Sequence, residues 1–284
     1  MCKTLSKYKV STLAGRLIML MLTSLLLLSC AGLGTGQKLV PVSLQLTDTM
    51  QLPFRIEKCL LDQRSNTYYL MEENRPNLYL YRNGQQINKL GGLGTQKTNF
   101  QKLSDIALDS DGNLLALDVF AKVIKKFCPD GKWIADIDIS GYGQPSRLCT
   151  LTETDLIIYD AAAKELSKFS TFDRKAMFSF GRFQVDDVAQ ITAVGDYIAV
   201  VSEDRGKTWL FNSMGQLLRE VPAQVVVDRF QNLFVYQDGA VKAEQGEPIL
   251  ALGPHNVELK LFSGLTALLL VSDYSVKTIL PAYQ

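Results

Sequence analysis

Acidic residues recur where short apolar runs end. Glu72 and Glu73, Asp118, Asp160, Glu203 with Asp204, Asp238 and Asp273 each close such a run. Carboxylates brought to one face would form an acidic ring that attracts a cation or a basic ligand. Several of their oxygens converging to ~2.3–2.6 Å would hold Ca²⁺. The competing chemistry is local: an Asp side chain readily accepts backbone N–H bonds from its own loop. Both readings stand on spacing alone.

Gly-bearing segments between these runs carry Phe100, Tyr142, Gln144, Arg147, Arg182, Phe183 and His255. Aromatic and arginine side chains on exposed loops are typical contact residues. The alternative for Phe100 and Phe183 is to fill gaps between elements. His255 is the single histidine, so mechanisms built on several imidazoles are excluded. No G-x-S-x-G segment, P-loop or Rossmann fingerprint occurs. Gly91-Gly-Leu-Gly94 opens no helical pattern and does not read as a phosphate cradle. The candidate ligand face is therefore Asp118, Asp160, Glu203, Asp273, Tyr142, Arg182, Phe183 and His255. No catalytic residue is assigned, and the metal is left open.

The elements that must position these residues are strands. After residue 38 no helical period is sustained; short apolar runs alternate with Asp, Asn, Gly and Ser clusters, as in a sandwich, barrel or propeller. Repeats decide among them. The clearest unit runs Asp105-Ile-Ala-Leu-Asp-Ser-Asp-Gly-Asn-Leu-Leu-Ala-Leu-Asp118, then Val123–Phe127, then Asp130-Gly131-Lys-Trp133. Val226–Tyr236 repeats its first hairpin, with Asp228 in the place of Asp109 and Asn232 in that of Asn113. Comparable second strands begin at Tyr68, Leu114, Leu156, Tyr197, Leu233 and Ala267. Asn-Gly and Asp-Gly pairs at the later turns favour tight hairpins. Six such units predict a six-bladed β-propeller of four-stranded antiparallel blades. The last unit offers three strands, near 257–262, 266–271 and 276–280. Val40–Leu46 alternates apolar and polar and is placed to supply the fourth. The last blade is thus closed by the N-terminal strand, which removes two exposed edges.

These units resemble the NHL repeat, whose blades carry a D-x-x-G-N-[LI] hairpin, an acid after the second strand and an aromatic closing the third. Residues 105–133 match well, the unit at 226–236 matches in its first hairpin, and the others match in outline. The resemblance implies the propeller and not one activity.

Lys3, Lys7, Lys9 and Arg16 precede an apolar run from Leu17 to Leu28. Twelve helical residues reach about 18 Å, short of the roughly 30 Å hydrocarbon core, which favours a secretory signal. Leu27-Leu28-Ser29-Cys30-Ala31-Gly32 resembles the lipobox of bacterial lipoproteins, in which the cysteine is lipidated. The whole arrangement is similar to the six-bladed propeller lipoproteins of Bacteroidetes-type bacteria. Residues 1–29 are then a signal peptide, 30–38 the lipidated Cys30 with its tether, and 39–284 the propeller. Loss of the leader takes the formal charge from +1 to −3, because its four cations leave with it.

Cys59, Cys128 and Cys149 show no metal-type spacing. Cys128 and Cys149 pair if their strands lie close; otherwise all three are small buried hydrophobes. Lysines such as Lys125 and Lys126 read as parts of solvated faces. Balanced charge, 30 Lys+Arg against 29 Asp+Glu, excludes a bulk nucleic-acid surface.

The expected protein is an envelope lipoprotein held at a membrane, the outer membrane being favoured, with its domain outside the cytoplasm. Its propeller is read as a binding or scaffolding module for a protein or small ligand rather than as an enzyme, with no cofactor and no nucleic-acid partner. The alternative is a divergent Ca²⁺-dependent propeller hydrolase or lyase.

Overall fold

A strand buried on both faces reads as a continuous apolar run, and one with a wet face alternates. Both kinds recur here in fixed order. Leu114–Asp118 is buried throughout, whereas Trp133–Asp138 alternates between half-buried and exposed. The computed structural model describes residues 39–94, 96–204, 206–244, 249–252, 260–263 and 266–284. His255 and Cys30 lie outside the described residues.

The strands form six four-stranded antiparallel sheets, a six-bladed β-propeller. Blade 1 is Ile56–Asp62, Thr67–Glu72, Asn77–Arg82 and Gln85–Gly91, from inner to outer strand. Blade 2 is Leu103–Leu108, Leu114–Asp118, Val123–Phe127 and Trp133–Asp138. Blade 3 is Pro145–Thr150, Asp155–Asp160, Glu165–Ser170 and Lys175–Phe180. Blade 4 is Val188–Val194, Tyr197–Ser202, Thr208–Asn212 and Leu217–Val221. Blade 5 is Gln224–Val227, Leu233–Gln237, Ala240–Ala243 and Ile249–Ala251. Blade 6 is Lys260–Ser263, Leu268–Val271 and Ser275–Tyr283, with Pro41–Gln51 as its outer strand. The N-terminal strand pairs Leu46 with Ile279 and Gln51 with Ser275, so the ring closes as expected, over a longer strand than the alternation at 40–46 marks.

Six apolar clusters glue the ring, one at each blade interface. Along the second strand of blade 2, Leu114 and Ala116 enter the cluster shared with blade 1. Leu115 and Leu117 enter the one shared with blade 3. This alternation between two buried neighbours explains the unbroken apolar run. Phe100 is fully buried at the interface of blades 1 and 2, edge-on to Phe127 with ring centroids 6.1 Å apart.

The turns differ in kind. Asn83 and Gly84 both take positive φ, 51° and 72°, as a two-residue hairpin turn demands. At Asp130-Gly131 only the glycine does, and the loop is longer: Cys128 and Lys132 face each other across it, with the Cys128 N–H on the Lys132 carbonyl at 2.8 Å.

All three cysteines are free. Cys149 sits on the inner strand of blade 3, while Cys128 stands in the loop before the outer strand of blade 2, so they do not pair. Cys59 and Cys149 are buried and Cys128 is half-buried. Lys125 is not a solvated lysine either: it is 8% exposed and donates to the Lys97 carbonyl at 3.3 Å.

Candidate functional site

The inner strands wall a central channel. In blades 1 to 4 the pairing of inner and second strands slips once near its start, between Ile56 and Lys58, Leu103 and Asp105, Pro145 and Arg147, and Val188 and Gln190. Such bulges re-aim the side chain that follows them. The residues that follow are Lys58, Asp105, Arg147 and Gln190. Gln224 and Lys260 hold the matching register in blades 5 and 6, opposite Tyr236 and Val271. Every blade thus places a polar or charged residue at one level of the channel.

Neighbouring blades are tied together at this level. Lys58 donates from Nζ to Asp105 Oδ1 at 2.6 Å, and both side chains are buried. Asp105 also accepts from its neighbour Ile106 N–H at 2.9 Å and, across to blade 3, from Leu148 N–H at 2.8 Å. Arg147 donates from Nε to the Ala189 carbonyl of blade 4 at 2.7 Å. Gln224 donates to the Leu261 carbonyl at 3.2 Å, and Lys260 to the Glu57 carboxylate at 3.0 Å.

Above this level opens a polar chamber of about 280 Å³. Its charged lining is Lys58, Arg147 and Lys260 against Glu57, Glu73, Asp105 and Glu203. Glu203 is the most exposed of these acids and stands 3.6 Å from Arg147 Nη2. On the other side of Lys58, Gln190 and Phe262, which both spaces share, lies a second space of about 170 Å³. Leu60, Ala107 and Cys149 help to line it. Burial pushes the Cys149 thiol up to about 12, so it stays protonated and behaves as part of an apolar wall.

The acids expected to ring one face divide. Asp118 accepts from the N–H groups of Gln101 at 2.9 Å, Lys102 at 3.0 Å and Ala121 at 3.3 Å. Asp160 accepts from Gly143 at 2.7 Å, Gln144 at 2.8 Å and Ala162 at 2.9 Å. These two carboxylates pin the link that enters their own blade. Asp273 joins Glu73 in gripping Arg55, at 3.1 and 3.0 Å. Glu203 alone of the four named acids lines the chamber. Among the described residues no group of three His, Cys, Asp or Glu side chains is placed to hold a metal ion.

The named link residues also divide. Tyr142 is half-buried, its hydroxyl accepting from Ser167 at 2.7 Å and its ring tilted on Phe169. Burial raises its pKa. Phe183 is 95% exposed with φ of 65°, and the Arg182 guanidinium lies 5.5 Å from its ring centre. Of the link residues, Phe100 fills a blade interface, Phe183 is exposed with Arg182 over its ring, and Arg147 lines the chamber.

Lys58, Asp105, Gln190, Gln224 and Lys260 were not among the expected site residues. Their signal is faint but present: polar residues near the start of otherwise apolar inner strands, as in Ile56-Glu-Lys58-Cys-Leu and Leu103-Ser-Asp105-Ile-Ala.

Comparison with known protein families and with curated proteins finds no match to this chain.

Proposed function

We propose that this chain is a bacterial envelope lipoprotein whose NHL-like propeller is a binding module. The observation that carries the binding reading is the charged chamber. Lysine is rarely buried unless paired; Lys58, 8% exposed, is paired with Asp105 and also stands beside open space with donors to spare. A plugged channel would be filled by apolar side chains. Here blades 1, 2, 3, 4 and 6 all contribute polar groups to one cavity, an arrangement suited to holding a polar ligand. The leader, with its cationic start, apolar run and Cys30, supports the envelope address.

Two measurements test this. Metabolic palmitate labelling of the full chain should mark wild type and spare Cys30→Ser, because a hydroxyl cannot form the thioether; a labelled, membrane-bound mutant would remove the lipoprotein reading. The full chain exposed to cell extract and analysed by native mass spectrometry should retain a small molecule. Wild-type protein that retains none would remove the small-ligand reading.

A further inference from the structure

We infer that the chamber takes a zwitterionic α-amino acid with an apolar side chain. This rests on the reading of the propeller as a binding module and names the ligand class of that same cavity.

The first ground is the count of donors. An ammonium has three N–H donors and a guanidinium five. Among the described residues Lys58 spends one, on Asp105. Arg147 spends two, on the Ala189 and Ser146 carbonyls, and its Nη2 stands 3.6 Å from Glu203. Buried donors need acceptors. The spare donors of these two cations suit an oxyanion in the chamber; Lys260, at the same level, is already held by Glu57 at 3.0 Å. Asp105 does not supply that oxyanion, since its oxygens already serve Lys58 and two backbone N–H groups.

The second ground is the sign of the rim. Glu73, held by Arg55 at 3.0 Å, and Glu203, at the longer 3.6 Å from Arg147, line the same chamber and are more exposed than the Lys58–Asp105 pair. A simple anion drawn to Arg147 meets the Glu203 carboxylate beside it. A carboxylate that carries its own ammonium on the next carbon meets complementary charge twice, cations in the wall and acids at the rim.

The third ground is the space beyond. The cavity on the far side of Phe262 is walled mainly by apolar side chains such as Leu60, Ala107, Leu148 and Cys149, with Thr150, Thr192 and Arg229 also in its lining. It adjoins the charged chamber through shared walls at Lys58, Gln190 and Phe262. A polar head with an apolar body matches that sequence of environments along the channel.

The test uses the purified full chain and titration calorimetry with leucine, phenylalanine, 4-methylpentanoate, which lacks the ammonium, and 3-methylbutylamine, which lacks the carboxylate. Leucine or phenylalanine should bind. Each single-charge analogue should bind about tenfold more weakly or worse, since it forfeits hydrogen bonds to charged groups. Glu203→Gln, at an exposed rim position, should shrink the gap between leucine and 4-methylpentanoate. Arg147→Met should weaken leucine and 4-methylpentanoate alike. Should Arg147→Met melt early, Glu203→Gln still decides the matter. Equal affinity for leucine and 4-methylpentanoate, or no binding of either amino acid by folded protein, overturns the proposal. Retention from extract of a small molecule of another class would overturn the amino-acid assignment and leave the binding module standing.

Discussion

Asp105 and Asp118 lie on paired strands of one blade, the first opposite Leu117 and the second opposite Leu103. Both are about 1% exposed. Their surroundings nevertheless give them different work. Asp118 meets only backbone N–H groups, three of them, from the link entering its blade and the turn after it. Asp105 meets an ammonium from blade 1 and an N–H from blade 3. One carboxylate organises a loop within its blade; the other binds three blades together at the wall of a cavity. Burial alone therefore does not mark a site. What separates the two is whether the partner has hydrogen-bonding capacity left over, and only the ammonium of Lys58 does.

The largest effect should come from breaking the Asp105 side of this pair. Asp105→Ala leaves a buried ammonium unpaired and removes the acceptor of the Leu148 N–H. Breaking a buried pair from one side typically costs about 3–5 kcal/mol, read as a fall in the urea midpoint at unchanged slope. The double variant Asp105→Ala with Lys58→Met should recover much of that loss, because no unpaired charge remains. A double variant no more stable than the single one would mean that the backbone bonds of Asp105, rather than its ion pair, hold the three blades.

Much of this architecture was legible beforehand, for a physical reason. The second strands, buried on both sides, and the Asp–Asn turns depend on residues close in sequence. Asp109 and Asp228 each accept from the N–H and the side-chain amide of the asparagine four residues on, with the same 2.8 and 2.9 Å distances. A local device of that kind repeats visibly. The chamber is assembled from side chains 40 or more residues apart, such as Lys58 and Asp105. Each looks like an isolated polar residue in an apolar strand until the bulges turn them to one level. Phe100 and Phe183 make the same point: two link phenylalanines of like setting, one wholly buried and one 95% exposed.

A smaller effect sharpens the Asp118 side. Asp118→Asn keeps one acceptor oxygen and loses the charge, so it should cost about 1.5–3 kcal/mol, the range for hydrogen bonds to a charged group. Asp160→Asn should cost the same. Because each carboxylate serves its own blade, the double variant should equal the sum of the singles within about 0.5 kcal/mol. Strong coupling between them would show that the two share something beyond their loops.

Smaller again is a pH effect at the Asp109 turn. Burial pushes the Asp109 pKa up, but the hydrogen bonds from Lys126, at 2.8 Å, and from Asn113 outweigh it and leave it below the usual carboxylate value. A carboxyl depressed in the folded state stabilises above its unfolded pKa and loses that contribution as pH falls through the folded value. Lys126→Met should therefore lower stability at pH 7 by less than the Asp118 change does. It should also flatten the decline below about pH 4, the ordinary carboxylate range. Unfolding midpoints at pH 7 and pH 3 for both proteins check this; parallel curves would exclude Lys126 as the cause.

The smallest expected effect is none at all, and it bears directly on what the strand-end acids do. A cation shared among blades would stabilise the native state by mass action, by about 2.7 kcal/mol at 100 times its dissociation constant. For Asp118 and Asp160 to take part, they would have to release backbone N–H groups held at 2.7–3.0 Å. Each such bond to a charged group is worth about 1.5–3 kcal/mol, so the exchange costs more than a weakly bound ion returns. Glu203 stands 3.6 Å from Arg147 and Asp273 3.1 Å from Arg55, so each would have to give up its arginine to complete the shell. Millimolar Ca²⁺ should leave the melting temperature of the full chain where EDTA leaves it. A rise with Ca²⁺ that disappears in both Asp118→Asn and Asp160→Asn would show that the acids leave their loops for a metal. The distinction drawn between them and Asp105 would then fail.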